Sequence, residues 1–125
     1  MRLQFDRCHE AKSLPGFRFQ VRRISLAQRL RFLAANHDIM QRLKFLGASV
    51  EKSAAQQAEI AGLELDLSRA LLQECLVSLG EGDQTNAADP EAFEWLLNSA
   101  PAGLCVEVLS RISDEISLSE QRRKN

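Results

Sequence analysis

Two stretches near the start of the chain alternate hydrophobic and polar side chains, which is the period of two expected of half-buried strands. The hydrophobic positions are Leu3 and Phe5 in the first stretch, and Phe17, Phe19 and Val21 in the second. Between them, the sequence Leu-Pro-Gly at residues 14–16 has the composition of a turn. The pattern therefore predicts a β-hairpin arm over residues 1–24.

After this arm the hydrophobic period becomes that of an amphipathic helix. Ser25 and Gln28 have the spacing of a capping box, in which each side chain satisfies a backbone N–H of the other residue. Residues 26–46 then carry one apolar stripe, which stops at Gly47. We therefore expect one long first helix over this stretch.

Helical periodicity continues through the rest of the chain. A second helix is predicted over residues 51–79, and the polar, glycine-containing stretch 80–86 is expected to be a loop. Asp89 followed by Pro90 is a strong start for a third helix, because it places a cap before a proline in the first turn. Pro101 opens a fourth helix in the same way.

These elements predict a single domain over residues 1–125 with a mainly α fold. We expect a compact helical domain of about four helices, occupying residues 25–117, with the N-terminal β-hairpin as an arm. The polar end, residues 118–125, is predicted to be a frayed tail.

Charge divides the chain into two unequal halves. Residues 1–52 hold eleven Lys and Arg but four Asp and Glu, a net charge of +7, whereas the remaining residues carry −8. Such asymmetry can steer partners or let one half of the chain pack around the other. No apolar run approaches the roughly 20 residues of a membrane span, and no export signal is visible, so we expect a cytoplasmic protein without a membrane partner.

The residues that usually carry chemistry are scattered. Cys8, Cys75 and Cys105 stand far apart without the spacing of a metal site. His37 lies on the apolar stripe beside Asp38, but adjacent helical residues do not face each other, so we interpret it as a core or boundary histidine. We therefore predict no catalytic residues, no metal and no cofactor, and a protein that is not an enzyme.

Nucleic acid is an alternative partner for the basic half. Its arginines can neutralise phosphates, and Phe17 and Phe19 can stack on bases. However, the phenylalanines alternate with Arg18 and Arg22, so rings and charges fall on opposite faces of the strand. These features disfavour nucleic acid and favour a protein partner.

Two places are candidates for partner binding. The edge of the predicted hairpin, at Phe17, Phe19 and Val21, can add a strand from a partner or from another copy. Trp95 is the single tryptophan and is either a core residue or an interface anchor, because aromatic residues concentrate at binding hot spots.

Residues 17–30, FRFQVRRISLAQRL, resemble the F-x-V-R-R-x-S-L-x-x-R-L opening of small proteins encoded in phage and prophage tail gene clusters. The ending LSEQRRKN at 118–125 and the spacing of residues 101–112 are also similar to these tail assembly chaperones, whereas residues 75–83 depart from their pattern. The resemblance implies a non-enzymatic protein that binds the tape-measure protein, or another tail protein, during tail assembly. The alternative is a small helical DNA-binding or regulatory protein of a phage or mobile element.

Overall fold

The computed structural model describes residues 6–124, with the surroundings of side chains 8–115. In this part of the chain, five helices make up 61% and a four-stranded antiparallel sheet 18%. Helices therefore form more than half of the described chain. The predicted mainly α class is wrong, because the sheet is twice the size of the expected hairpin and the fold is mixed α and β.

The elements follow each other in an order that interrupts the sheet with three helices. They are β1 (Asp6–Glu10), β2 (Phe17–Arg22), α1 (Leu26–Ala35), α2 (His37–Gly47), α3 (Ala54–Cys75), β3 (Leu76–Glu81), β4 (Gln84–Ala87), α4 (Pro90–Asn98) and α5 (Ala102–Lys124). The strands lie in the order β1-β2-β3-β4, and each is antiparallel to its neighbours.

The second strand of the N-terminal hairpin forms as predicted. β1 pairs with β2 along its whole length, and Gly16 in the connecting turn has a φ of 88°, which favours glycine. The three alternating hydrophobic side chains of β2 are all buried. Leu3 and Phe5, on which the first strand was predicted, lie outside the described residues.

A second hairpin replaces the predicted end of the second helix and the predicted loop. α3 ends at Cys75, and β3 and β4 pair across a two-residue turn at Gly82 and Asp83. Val21 pairs with Leu76, whereas Gln20 pairs with Ser78, so the register shifts by one residue at a β-bulge. Because of the bulge, residues 76 and 79 are both buried although they are three positions apart. A spacing of three between buried residues is typical of a helix.

The predicted first helix is two helices. Asn36 separates α1 from α2, and its side-chain amide donates a hydrogen bond to the carbonyl oxygen of Phe32 at 2.9 Å. Asparagine favours such bonds to the backbone over helix continuation. The end of α2 at Gly47 agrees with the prediction.

The core lies between one face of the sheet and the helices α3, α4 and α5. Its buried members come from β2, β3, these helices and the connections before and after β2, and none comes from residues 25–70. They are Ala11, Phe17, Phe19, Val21, Ile24, Leu72, Cys75, Leu76, Leu79, Phe93, Leu96, Leu104, Val108 and Ile112. Residues 26–70, here named the helical arm, therefore lie outside the core, with α2 packed on α3.

At the other end of the chain, the backbone of the predicted frayed tail continues α5 to Lys124. Among the described residues, no helix has both the length and the apolar content that crossing a membrane requires.

Candidate partner-binding surface

The predicted strand-addition edge is not free. β2 is hydrogen-bonded to β1 on one side and to β3 on the other, so neither side is open to a strand from a partner. Phe17, Phe19 and Val21 all lie in the core. The hairpin-edge hypothesis is therefore corrected, and the two phenylalanines are also too buried to stack on nucleic-acid bases.

Trp95 is neither fully buried nor fully exposed. Its indole stacks on the buried ring of Phe17, with centroids 6.0 Å apart and an interplanar angle of 25°. The side chain is nevertheless 39% exposed. One part of the ring is thus held by the core while another part faces solvent, and the structure brings together two of the four predicted partner-binding residues.

The start of α4 fixes the position of Trp95. The Asp89 side chain accepts a hydrogen bond from the backbone N–H of Ala92 at 2.8 Å, as the sequence predicts for a helix cap. Phe93 and Leu96 are buried, and Trp95 lies between them in sequence on the border of that face. The helix therefore presents its tryptophan at the edge of the core.

An ion pair attaches α4 to α3. The Nε of Arg69 donates to Glu94 at 2.6 Å, and the same carboxylate accepts a hydrogen bond from Asn98. The bond from Arg69 lowers the pKa of Glu94 below its usual value. These contacts hold the exposed side of α4 in a fixed orientation.

A shallow cleft of about 410 Å³ opens beside Trp95, between α4 and the hairpin of β3 and β4. This volume falls within the ~300–1,000 Å³ range of ligand-binding clefts. The lining combines small apolar side chains with two carboxylates and an amide: Leu79, Asn86, Ala87, Asp89, Glu91, Ala92 and Trp95. We name this surface the Trp95 cleft.

The surroundings of the Trp95 cleft are acidic. Residues 81–94 contain five Asp and Glu and no Lys or Arg. Asp83 lies 3.8 Å from Arg18, and Glu94 pairs with Arg69. No ion pair within residues 8–115 involves Glu91, which lines the cleft. A basic partner would therefore be attracted to this surface.

The strand that borders the cleft, β4, is the outermost strand of the sheet on that side. All four of its residues are exposed and none is a large hydrophobic. A short polar edge of this kind resists uncontrolled strand pairing. The sequence placed a sheet edge at β2, whereas the edge strands of the described sheet are β1 and β4.

Cys75 is buried and Cys105 is partly buried. Burial raises the pKa of Cys75 to about 11 and also raises that of Cys105, which keeps both thiols protonated at neutral pH. Within the described residues, no three His, Cys, Asp or Glu side chains are placed to hold a metal. His37, predicted to be in the core or at its boundary, is exposed because the break at Asn36 places it at the start of α2.

Comparisons with protein-family models, with curated proteins and with solved structures find no match to this chain. Function must therefore be argued from the Trp95 cleft and from the sequence motifs.

Proposed function

We propose that this protein is a non-enzymatic assembly chaperone that binds a long helical client, the tape-measure protein of a phage or prophage tail. The observation that carries this proposal is the half-exposed Trp95, stacked on Phe17 at the side of an acidic cleft. The motif at residues 17–30 supports the identity of the client.

A tryptophan held in this way is suited to protein recognition. Large aromatic side chains dominate binding hot spots, and an anchor that is already ordered loses little conformational entropy on binding. The contact between Trp95 and Phe17 provides that order. Apolar side chains from one face of a client helix can enter the cleft in the helix-in-groove manner.

The carboxylates define the chemistry of the client. Asp89 and Glu91 lie in the lining of the cleft, so a matching helix carries Lys or Arg beside its apolar residues. Charge pairs at the exposed rim of such a contact contribute about 1 kcal/mol or less each, so they favour selectivity and reversible binding. Reversible binding suits a chaperone, which must release its client.

Co-expression with the tape-measure protein of the same gene cluster tests the proposal. We expect the client to become soluble in a complex that survives gel filtration. Trp95→Ala should weaken the complex at least about tenfold, the loss expected of a hot-spot residue. Val106→Ala is the matched control, since Val106 is an exposed apolar residue of α5 outside the cleft lining.

Two results would contradict the proposal. One is a tape-measure protein that is equally soluble alone. The other is a complex that Trp95→Ala and Val106→Ala leave equally intact, with both variants folded by circular dichroism.

The alternative function, a DNA-binding or regulatory protein of a phage or mobile element, is supported by the net charge of +5 on residues 22–47. Against it, the aromatic residues of the basic half that were candidates for base stacking, Phe17 and Phe19, are buried. We expect only weak duplex binding at physiological salt. Sub-micromolar binding with a steep salt dependence, lost in Arg22→Ala, would favour this alternative.

A further inference from the structure

α1 has the surface of a helix that binds in a groove. Leu26 and Leu30 are 48% and 47% exposed, and Leu33 is half-buried one turn further on. These positions, spaced i, i+4 and i+7, lie on one side of the helix. Phe32, on a different side, is the buried residue that α1 contributes to the helical arm. We name Leu26, Leu30 and Leu33 the leucine stripe.

The charge around the leucine stripe is opposite to that of the Trp95 cleft. α1 contains Arg29 and Arg31 and no acidic residue, and residues 22–47 carry +5 in total. The cleft segment, residues 81–94, carries −5. Net charges of opposite sign on the segments that carry the leucine stripe and the cleft are the complementarity expected of an interface.

The two surfaces lie on separate parts of the molecule. α1 packs on α2 in the helical arm, whereas α4 packs on α3 and α5 beside the core. No ion pair described within residues 8–115 joins the two charged segments. The leucine stripe of one copy is therefore free to meet the cleft of another.

We propose that the protein associates head to tail with copies of itself, with the leucine stripe of one copy seated in the Trp95 cleft of the next. Leucine side chains cover the exposed part of Trp95, and Arg31 faces the carboxylates of Asp89 and Glu91. Because the two surfaces differ, two associated copies still carry one free stripe and one free cleft between them, and further contacts produce a chain or a closed ring. This self-association goes beyond the proposed function and occurs without the client, but it occupies the same cleft, so a neighbouring copy and the client exclude each other there.

A charge exchange tests this contact on the purified protein. Arg31→Glu alters the stripe side and Glu91→Lys alters the cleft side, and both side chains are exposed. In each variant alone, the contact brings two like charges together. In an equimolar mixture, every stripe finds a cleft of opposite charge on the other variant. Analytical ultracentrifugation over a wide concentration range measures the average mass of the particles in solution.

For the unaltered protein, the average mass should rise at least about twofold with concentration, as open heterologous association requires. The rise should be smaller at an ionic strength of about 1 M than at about 0.1 M, because the Debye length falls from about 10 Å to about 3 Å. Each variant alone should stay a monomer, and the mixture should recover the mass. Leu30→Ala should also reduce association, by removing an apolar anchor.

The control is Glu64→Lys, which makes the same change of charge at an exposed position of α3 outside the cleft lining. It should associate like the unaltered protein. A monomer at every concentration would overturn the proposal and leave the stripe for a different partner. The proposal also fails if Glu64→Lys abolishes association as Glu91→Lys does, or if mixing the two variants restores nothing.

Discussion

Gly80 lies where β3 and β4 approach each other most closely. A Cβ atom at this position would overlap the backbone carbonyl oxygen of Gln84, which cannot move without separating the strands. We predict that Gly80→Ala lowers the free energy of unfolding by about 3 kcal/mol, the upper part of the range for overpacked sites. Urea denaturation measures the change.

Gly62 is the matched control for this substitution. It lies inside α3 with no atom near the place of a Cβ, so Gly62→Ala should raise stability by about 0.5–1 kcal/mol through helix propensity. Equal stability of the two alanine variants would contradict the close approach of β4 to Gly80 in the second hairpin.

Glu107 connects α5 to the turn of the first hairpin. Its carboxylate accepts hydrogen bonds from the backbone N–H groups of Lys12 and Ser13 and from the Ser13 hydroxyl, at 2.7–3.0 Å. The bond from the Lys12 N–H is the main reason that the pKa of Glu107 lies below its usual value. Because folding lowers its pKa, the ionised Glu107 side chain stabilises the fold at pH values above the ordinary glutamate pKa. This stabilisation is lost as the pH falls through the lowered pKa.

Glu107→Gln should therefore cost about 1 kcal/mol at neutral pH, a value reduced from that of a buried charged hydrogen bond because the site is partly exposed. The difference from the unaltered protein should shrink as the pH falls below about 4. Thermal melting at a series of pH values measures it, with Glu64→Gln as the exposed control. A difference that does not change with pH would show that the carboxylate charge is not involved.

Residue-level reasoning from the sequence succeeded where a side chain has one strong local signal. The alternation in β2 correctly placed Phe17, Phe19 and Val21 on one face. The alternation could not predict that β3 would pair with β2 on the side away from β1, because strand partners distant in sequence leave no local pattern. For the same reason Trp95 was identified, but the cleft beside it was not.

At the scale of elements, two helices begin with the same device. Ser25 and Ser53 each accept a hydrogen bond from the backbone N–H of a glutamine three residues later. The side-chain oxygen of each glutamine accepts one in turn from the backbone N–H of the serine. The box at Ser25 was predicted and is confirmed. The box at Ser53 has the same Ser-x-x-Gln signature, so the start of α3 was also accessible from the sequence.

We predict that Ser25→Ala and Ser53→Ala each lower stability by about 1 kcal/mol, the usual value of a lost cap. Ser110→Ala is the control, because Ser110 is exposed within α5 and alanine favours a helix slightly more than serine. Urea denaturation of the three variants distinguishes the loss of a helix cap from the loss of a serine inside a helix. Loss of stability in Ser110→Ala equal to that in the other two would argue against the capping role.

The elements that were predicted wrongly share a physical cause. The bulge that leaves Leu76 and Leu79 on the same side gives β3 a helical spacing, and this concealed the second hairpin. Gly82 and Asp83 between two short runs are a hairpin signal that could have revealed it. In contrast, the break at Asn36 is set by one side-chain hydrogen bond inside an unbroken apolar pattern.

At the scale of the whole molecule, charge separation in the sequence becomes separation in space. The basic residues 22–47 supply the first two helices of the arm, and the acidic residues 81–94 surround the Trp95 cleft. This distribution was visible in the composition of the two halves. The placement of the acidic segment around a cleft and of the basic segment on two helices required the fold.

The binding of a client at the Trp95 cleft is the central claim, and the fluorescence of the protein tests it most directly. Trp95 is the only tryptophan, so its emission reports on the cleft, and the measurement is made at a concentration at which the protein is a monomer. Titration with a tryptophan-free helical fragment of the tape-measure protein should shift the emission to shorter wavelength, because the exposed part of the indole leaves water. Binding detected by calorimetry without any change in this emission would place the client elsewhere and contradict the account.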